Sequence, residues 1–176
     1  MYDLARIRAA RERTSPHVTR TPLLSSATLS RETGCEVFIK AELFQKTGSF
    51  KVRGMTNALL TMDEKDRACG VISFSAGNAA QGLAYAAGIA GARAAVAMPE
   101  AASPTKIAAT KGYGAEVILH GKTAAETYER CMAEVEARGL TFVPSYDSMA
   151  LMEGHASLGL EILEDVPDAF SYTHLT

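Results

Sequence analysis

The chain has 176 residues, of which 47% are hydrophobic and 22% are charged, a composition typical of an ordinary globular protein rather than a disordered or fibrous one. The formal net charge of −2 and the scattering of Lys and Arg along the chain argue against a nucleic-acid-binding protein. The N-terminus has no apolar run of signal-peptide length, and the most apolar stretch, residues 82–99, is built from small residues and includes Arg93. We therefore expect a cytoplasmic protein without a membrane span.

Cys35, Cys69 and Cys131 are odd in number, widely spaced and without a Cys-x-x-Cys pair. This pattern predicts neither a disulfide framework nor a zinc site. We expect buried free thiols and assign no metal site.

The predicted elements alternate between helices and strands along most of the chain. A short amphipathic helix is predicted over residues 4–13, because Leu4, Ile7 and Ala10 share one helical face. The elements predicted after it are an extended segment at 21–24, a helix at 26–33, a strand at 36–40, a helix at 51–62, a strand at 71–74, a helix at 78–90, a strand at 94–98, a helix at 104–111, a strand at 116–119, a helix at 124–137 and a strand at 141–143. Strands separated by helices pair in parallel, because the chain must cross over between them. The fold class is therefore α/β with an open, twisted, mainly parallel sheet, in which ligands bind at the carboxyl ends of the strands.

The last residues depart from this alternation. Residues 161–165 end a helix and residues 166–168 form a turn, so a further buried strand is expected next. Residues 170–176 have the sequence Phe-Ser-Tyr-Thr-His-Leu-Thr, which makes a poor buried strand, and we predict a tail that departs from the pattern.

The first candidate site is the loop at residues 45–51, Gln-Lys-Thr-Gly-Ser-Phe-Lys, which lies between a predicted strand and a predicted helix. We expect Ser49 to cap the helix and Lys51 to lie in its first turn, where the helix dipole opposes the charge of an ammonium. Such a position lowers the pKa of a lysine, which must lose its proton before it attacks an aldehyde. Alone, the tripeptide is also consistent with a solvated lysine on a helix.

The second candidate site is residues 75–82, Ser-Ala-Gly-Asn-Ala-Ala-Gln-Gly, which follow a predicted strand and open a predicted helix. Small side chains there let backbone N–H groups approach an anion, and a helix N-terminus favours a carboxylate. Asn78 could donate to an oxygen of a ligand beside it. Alone, the segment is also consistent with a simple Asn/Gly turn that caps a helix.

Together the two loops resemble, in order, spacing and flanking elements, the fold-type II pyridoxal-phosphate enzymes, in particular their threonine and serine dehydratases. The resemblance runs from about residue 4 to about residue 165. The residues that carry it are Thr21, Pro22, Leu23, Lys40, Ala41, Glu42, Gln45, residues 48–54, residues 75–82, Met98, Pro99, Lys106 and residues 114–117.

The resemblance implies a pyridoxal-phosphate cofactor and roles for individual residues. Lys51 would carry the cofactor and then act as the base at the substrate α-carbon, and Phe50 would help to position the cofactor ring. Asn78 would donate a hydrogen bond to the phenolic oxygen of that ring. The residues that would hold the substrate carboxylate are Ser75, Ala76, Gly77, Asn78 and Ala79. The implied reaction is the loss of ammonia from a hydroxy-amino acid such as threonine or serine, which leaves a 2-oxo acid.

Two positions and the C-terminal end depart from the family pattern. Ala79 stands where many relatives have histidine, and His155 stands where they usually have glutamine. We interpret His155 as a substitution in a packing helix. Relatives continue beyond the equivalent of Asp168 with a buried strand and a glycine-rich loop for the cofactor phosphate, and later supply the partner of the pyridine nitrogen and the divalent-cation ligands. The chain thus resembles a C-terminally truncated member of the family.

Several alternatives stay open. Phe50 and Ser75 argue against cysteine synthases. Serine racemases resemble the chain but have serine at position 76, which is credited with protonating the substrate from the opposite face. Ala76 has no proton to give and favours elimination. A 3-hydroxyaspartate dehydratase is a further alternative, because its substrate differs from threonine and serine only at the β-carbon. No residue of the sequence can be assigned to bind that end of the substrate. Outside enzymes, the alternative is a catalytically inactive fragment that binds at most a carboxylate or a partner chain.

The length allows one complete core, or one small domain and part of another. The resemblance implies that residues 55–144 form a smaller α/β domain, and that residues 1–54 and 145–169 belong to an incomplete larger domain that holds the cofactor. We expect the apolar faces of residues 4–13, 37–39 and 151–163 to lack partners. We also expect the parent enzyme to be a homo-oligomer.

Overall fold

The first elements of the fold are two helices and a short two-stranded sheet. They are seen in a computed structural model that describes residues 3–169. They are α1 (Leu4–Thr14), β1 (Leu23–Ser25), α2 (Ala27–Thr33) and β2 (Phe38–Lys40). Strands β1 and β2 pair antiparallel, which the sequence did not predict, because the chain returns directly beside β1 after α2 instead of crossing over a sheet. The predicted tail at residues 170–176 lies outside the described residues.

The remaining elements build a four-stranded sheet. They are α3 (Lys51–Thr61), α4 (Glu64–Ala68), β3 (Val71–Phe74), α5 (Asn78–Ala90), β4 (Ala94–Met98), α6 (Pro104–Gly112), β5 (Glu116–Leu119), α7 (Ala124–Arg138), β6 (Thr141–Phe142) and α8 (Met149–Asp165). The strand order is β5-β4-β3-β6, and every neighbouring pair is parallel. The predicted α/β class is confirmed. The short helix α4 was not predicted, and neither was a 3-10 turn at Glu42–Phe44.

Both faces of this sheet are covered. Successive residues of a strand point to opposite faces, so Val71 and Val96 pack with residues of α3 and α5 on one side. Ile72 and Ala97 pack with Cys131 of α7 on the other side. Burial on both faces explains why β4 is apolar throughout and β3 is apolar apart from the buried Ser73, as parallel strands commonly are.

Glycines bring three helices into close contact. A Cβ at Gly154 of α8 would lie 2.8 Å from the Cα of Gly54 of α3, and a Cβ at Gly54 would collide with the imidazole of His155. On the other side of α3, a Cβ at Gly82 of α5 would lie 3.3 Å from the Lys51 carbonyl oxygen. Helix α3 is therefore held between α5 and α8, and its first residue is Lys51.

The cysteines correct one prediction. Cys131 is buried, whereas Cys35 and Cys69 are exposed, because they follow α2 and α4, two short helices that contain no buried residue. All three are free thiols. Within residues 3–169, no group of three or more His, Cys, Asp or Glu side chains is arranged to hold a metal ion.

Large apolar side chains are exposed at several of the positions expected to lack partners. Leu4 is 50% exposed, Ile39 is 43% exposed and Leu163 is 51% exposed. Leu151, by contrast, is buried, because α8 packs against α3, so the expectation for residues 151–163 was wrong at the start of that helix. None of the helices in the described part of the chain has the length and apolar character that a membrane span needs.

Candidate active site

The two predicted loops meet at one edge of the parallel sheet. Residues 75–77 follow β3 and lead into α5, whose first residue is Asn78. Gly82 lies one turn into α5, and a Cβ added there would lie 3.3 Å from the carbonyl group of Lys51. The start of α5 therefore lies beside the start of α3. The candidate site therefore lies where α/β sheets bind ligands, at the carboxyl ends of the strands.

The Lys51 amine is half-buried and bound to a carbonyl rather than to a carboxylate. Its Nζ donates a hydrogen bond to the Ser145 carbonyl oxygen at 3.0 Å and lies 5.3 Å from the centroid of the Phe50 ring. Burial lowers the pKa of Lys51, because desolvation disfavours the ammonium. A more easily deprotonated amine is what attack on an aldehyde requires.

The loop before Lys51 differs from the prediction at Ser49. The N-cap of α3 is Phe50 and no side chain caps the helix. Ser49 is instead turned into the protein, where its hydroxyl, like that of Thr47, has no hydrogen-bond partner among the described residues. The helix thus begins one residue later than a Ser49 cap would place it, but Lys51 still lies in the first helical turn, as predicted.

Ser145 joins Lys51 to the end of strand β3, and the sequence did not identify it. Its hydroxyl donates to the Phe74 carbonyl oxygen at 3.0 Å and lies 3.3 Å from the Ser73 hydroxyl. Its own carbonyl accepts from Lys51. Ser145 follows β6 much as Ser75 follows β3, so its position at the carboxyl end of a strand was the available signal.

The loop before α5 presents backbone donors. The Ser75 hydroxyl accepts a hydrogen bond from the Gly77 N–H at 3.2 Å, which folds the loop back on itself. Gly77 is the N-cap, and no side chain caps α5, so the first N–H groups of this helix are left for a ligand. Such a helix end favours a carboxylate. Ala76, in the loop, is exposed, whereas Ala79, the second residue of α5, is buried.

Asn78 is held by a lysine from the next helix. Its side-chain oxygen accepts a hydrogen bond from the Lys106 Nζ at 2.7 Å. Lys106 is among the residues that carry the resemblance, but the sequence assigned it no role. The contact leaves the amide nitrogen of Asn78 as the donor that a ligand could use.

A buried ionic network around Arg53, two residues after Lys51, fixes the first turns of α3. Arg53 is 1% exposed and donates to the carboxylates of Glu42 and Glu161, with contacts of 2.7–3.0 Å. The Lys40 ammonium lies 2.6 Å from Glu161. Burial by itself would raise the pKa of Glu161, but hydrogen bonds from Arg53 and Lys40 hold it below the ordinary carboxyl value. The network ties α3 to β2 and α8, and no sequence pattern predicted it.

His155 supports the same turn by packing. Its ring lies edge-on to Phe50, with 4.9 Å between the centroids. Burial, followed by the nearby Lys51 charge, lowers the pKa of His155 to about 4, so the ring is neutral at neutral pH. Its Nε2 has no hydrogen-bond partner among the described residues. These contacts fit the packing residue that the sequence predicted.

Known proteins resemble the chain in sequence and in fold. A family model described as pyridoxal-phosphate dependent enzyme matches residues 14–174. An L-threonine ammonia-lyase of Geobacter sulfurreducens is 40% identical over 168 residues, which cover 96% of this chain and 42% of that protein. An L-threo-3-hydroxyaspartate ammonia-lyase of a Pseudomonas species is 43% identical over 155 residues, or 88% of this chain and 49% of that protein.

A solved structure extends the similarity to the fold. Maize serine racemase superposes with a TM-score of 0.90 at 32% sequence identity, over 94% of this chain and 50% of that one. The chain thus spans about half the length of the relatives that it matches.

Proposed function

Because the chain belongs to the family of pyridoxal-phosphate dependent enzymes, we propose that this protein removes ammonia from a hydroxy-amino acid such as threonine or serine. The observation that carries the proposal is the pairing of two features at one sheet edge. One is the half-buried Lys51 amine, whose pKa burial lowers. The other is the uncapped N-terminus of α5. An aldehyde cofactor fits the first feature, and a substrate carboxylate fits the second.

Each group in the site has a distinct part in the proposed reaction. The cofactor, when bound, supplies an electron sink for the electron pair left at the substrate α-carbon. Lys51 would hold the cofactor until the substrate amine takes its place, and the freed Nζ would then accept the α-proton, while Phe50 would pack beside the cofactor ring. Asn78 donates its amide N–H to the phenolic oxygen of the cofactor.

The carboxylate loop orients the substrate for elimination. The segment Ser75, Ala76, Gly77, Asn78 and Ala79 holds the substrate carboxylate, and the N–H groups of Asn78 and Ala79 in the first turn of α5 are donors for it. The β-hydroxyl leaves as water with the proton that Lys51 Nζ took from the α-carbon, and hydrolysis of the released enamine gives the 2-oxo acid and ammonia. No proton donor is needed on the face opposite Lys51, which agrees with the methyl side chain of Ala76.

A direct assay tests the proposal. The complete gene product, including any sequence beyond residue 176, is purified with pyridoxal phosphate and offered L-threonine, L-serine and L-threo-3-hydroxyaspartate. Release of ammonia with the matching 2-oxo acid, lost in Lys51→Ala but kept in Lys46→Ala, would support it. A protein that stays colourless with the cofactor would instead support an inactive carboxylate- or partner-binding chain.

Two related functions are separated by the same assay. The fold similarity to a serine racemase favours racemisation as a second candidate, which would appear as D-serine formed from L-serine without ammonia. The similarity to an L-threo-3-hydroxyaspartate ammonia-lyase favours the same elimination on a substrate with a β-carboxylate. A marked preference for that third substrate would change the substrate assignment and leave the reaction type intact.

We also propose the domain arrangement, the location and the oligomeric state of the enzyme. Residues 55–144 form a smaller domain, and residues 1–54 and 145–169 contribute to a larger one that completes the cofactor site. The enzyme is a cytoplasmic homo-oligomer. The free cysteines support a reducing compartment, and size-exclusion chromatography with light scattering tests the oligomeric state.

A further inference from the structure

Lys106 lies outside the two predicted loops but reaches into the candidate site. It is the third residue of α6 (Pro104–Gly112), and its side chain extends towards the start of α5. The hydrogen bond of its Nζ to the Asn78 side-chain oxygen, 2.7 Å long, is the one polar contact of that ammonium in the described part of the chain. The ammonium thus has no carboxylate partner among residues 3–169, and its charge is not neutralised there.

This contact decides which way the Asn78 amide points. An ammonium has only donors, so it can bind the amide oxygen but not the amide nitrogen. A hydrogen bond to a charged donor is also stronger than one between neutral groups. The amide is therefore fixed with its nitrogen, which carries two N–H donors, directed away from Lys106.

The face of α5 that carries Asn78 is the face that meets Lys51. Asn78 and Gly82 are four residues apart and so lie on the same side of the helix. The Gly82 position is the one that contacts the Lys51 backbone. The amide nitrogen freed by the Lys106 contact is thus on the side of α5 where the lysine-bound ligand would lie.

We propose that Lys106 is a positioning residue for the reaction, and this inference rests on the proposed function. It fixes Asn78 so that the amide nitrogen donates to the phenolic oxygen of pyridoxal phosphate. Its effect on the cofactor passes through Asn78, and it does not itself touch the reacting atoms.

The test uses the complete gene product, four single variants and one double variant. Lys106→Met removes the donor and the charge, Lys106→Arg keeps both, and Asn78→Ala removes the group through which Lys106 acts. Lys111→Met is the matched control, because Lys111 is an exposed lysine in the last turn of the same helix. The readouts are the dissociation constant for pyridoxal phosphate, the visible absorption spectrum of the bound cofactor, and kcat and KM.

The expected result is specific to position 106. Lys106→Met weakens cofactor binding by about tenfold, the size expected for a charge-assisted hydrogen bond, and it shifts the visible spectrum. It also lowers kcat more than it raises KM, because the cofactor contact is altered and the carboxylate loop is not. Lys106→Arg restores the spectrum, and Lys111→Met behaves as wild type.

A double-mutant cycle supplies the decisive outcome. If Lys106 acts through Asn78, then Lys106→Met has no further effect on cofactor affinity in the Asn78→Ala background. Additive effects of the two substitutions, or a Lys106→Met variant indistinguishable from Lys111→Met, would overturn the inference. Cofactor affinity and spectrum remain measurable even if the protein releases no ammonia, so failure of the proposed function is distinguishable from failure of this inference.

Discussion

At the scale of single residues, Lys51 differs from its neighbours in the same part of the chain. Lys40 is buried in an ion pair with Glu161, and Lys46 is exposed in the loop. Lys40 also donates to a carbonyl oxygen, that of Thr21, so what distinguishes Lys51 is partial burial without a carboxylate partner among the described residues. Its amine is therefore the one of the three suited to lose a proton and form a covalent bond with an aldehyde.

We predict that borohydride reduction of the cofactor-loaded complete protein fixes the cofactor on Lys51. Because burial lowers the pKa of Lys51, capture of the aldehyde should begin at a lower pH than capture by an exposed lysine. Peptide mass spectrometry after reduction over a range of pH measures both, with Lys46 as the internal reference. Labelling mainly at Lys40, Lys46 or Lys106 would contradict the assignment.

At position 76 we predict a change in reaction type. Ala76 is exposed, so Ala76→Ser adds a hydroxyl without disturbing the packed interior. This hydroxyl can return a proton to the substrate from the face opposite Lys51, and D-serine formation should rise relative to ammonia release from L-serine. Chiral chromatography and an ammonia assay give the ratio. An unchanged ratio would remove this reason for preferring elimination, and Ala101→Ser, at another exposed alanine, is the control.

At the scale of elements, the contact between α3 and α8 depends on the absence of side chains. A Cβ at Gly154 would lie 2.6 Å from the Arg53 carbonyl oxygen, and neither backbone can yield cheaply. We predict that Gly154→Ala lowers the free energy of unfolding of the complete protein by about 1–3 kcal/mol, measured by urea denaturation.

Gly159→Ala is the matched control for this prediction. Gly159 lies on the same helix, and a Cβ added there would meet no neighbouring atom within 4 Å. Alanine at this position should be neutral or stabilising by up to ~1 kcal/mol, because alanine favours the helix more than glycine does. Equal effects of the two substitutions would show that the close helix contact is not what constrains position 154.

The ionic network is a second contact between elements. Arg53→Met would remove the cationic partner of Glu42 and leave Glu161 paired with Lys40 alone. Removing one partner of a buried ion pair costs about 3–5 kcal/mol of stability. We predict a loss of this order in the free energy of unfolding at neutral pH. Arg138→Met, which breaks exposed pairs with Glu116 and Glu134, should cost less than ~1 kcal/mol.

The direction in which the stabilisation by this network changes with pH follows from the pKa of Glu161. Its pKa is lowered in the folded state, so it contributes stability above its unfolded pKa of about 4.3 and loses that contribution as the pH falls through the folded value. The difference between wild type and Arg53→Met should therefore shrink as the pH falls below about 4. Urea titrations over a pH series measure the trend, and a constant difference would contradict it.

At the scale of the whole molecule, exposed apolar side chains are concentrated in the N-terminal segments and at the end of α8. Leu43 is 66% exposed, Phe44 is 57% exposed and Leu163 is 51% exposed. Burial of apolar area stabilises a protein by ~25 cal/mol per Å², so several such side chains left in water lose on the order of several kcal/mol of stabilising free energy. This loss is comparable with the whole free energy of unfolding of a domain.

We therefore predict that residues 1–176, expressed alone, bind pyridoxal phosphate weakly, show no useful turnover and self-associate through this apolar surface. In limited proteolysis, residues 55–144 should resist longest, because they contain the sheet and most of the buried core. Light scattering, cofactor titration and mass spectrometry of the digest test the three parts. A monomeric, yellow and active preparation of these residues would contradict the prediction.

The sequence by itself determined the order and type of most elements and the two loops of the candidate site. Helical periods, glycines and apolar runs act over a few neighbouring residues, so the helix at Asn78–Ala90 and the strand at Ala94–Met98 could be predicted with their ends. Lys51 and Asn78 could be found because each follows a recognisable loop.

Only the tertiary structure decided the contacts between residues distant in the chain. Ser145 binds Lys51 across 94 positions, and Lys106 binds Asn78 across 28. The sequence predicted Ser49 as a helix cap, but its side chain is buried in the protein and does not cap α3. This difference also depends on tertiary packing. Such contacts depend on how helices and strands pack in space, and nearest-neighbour patterns carry no information about that packing.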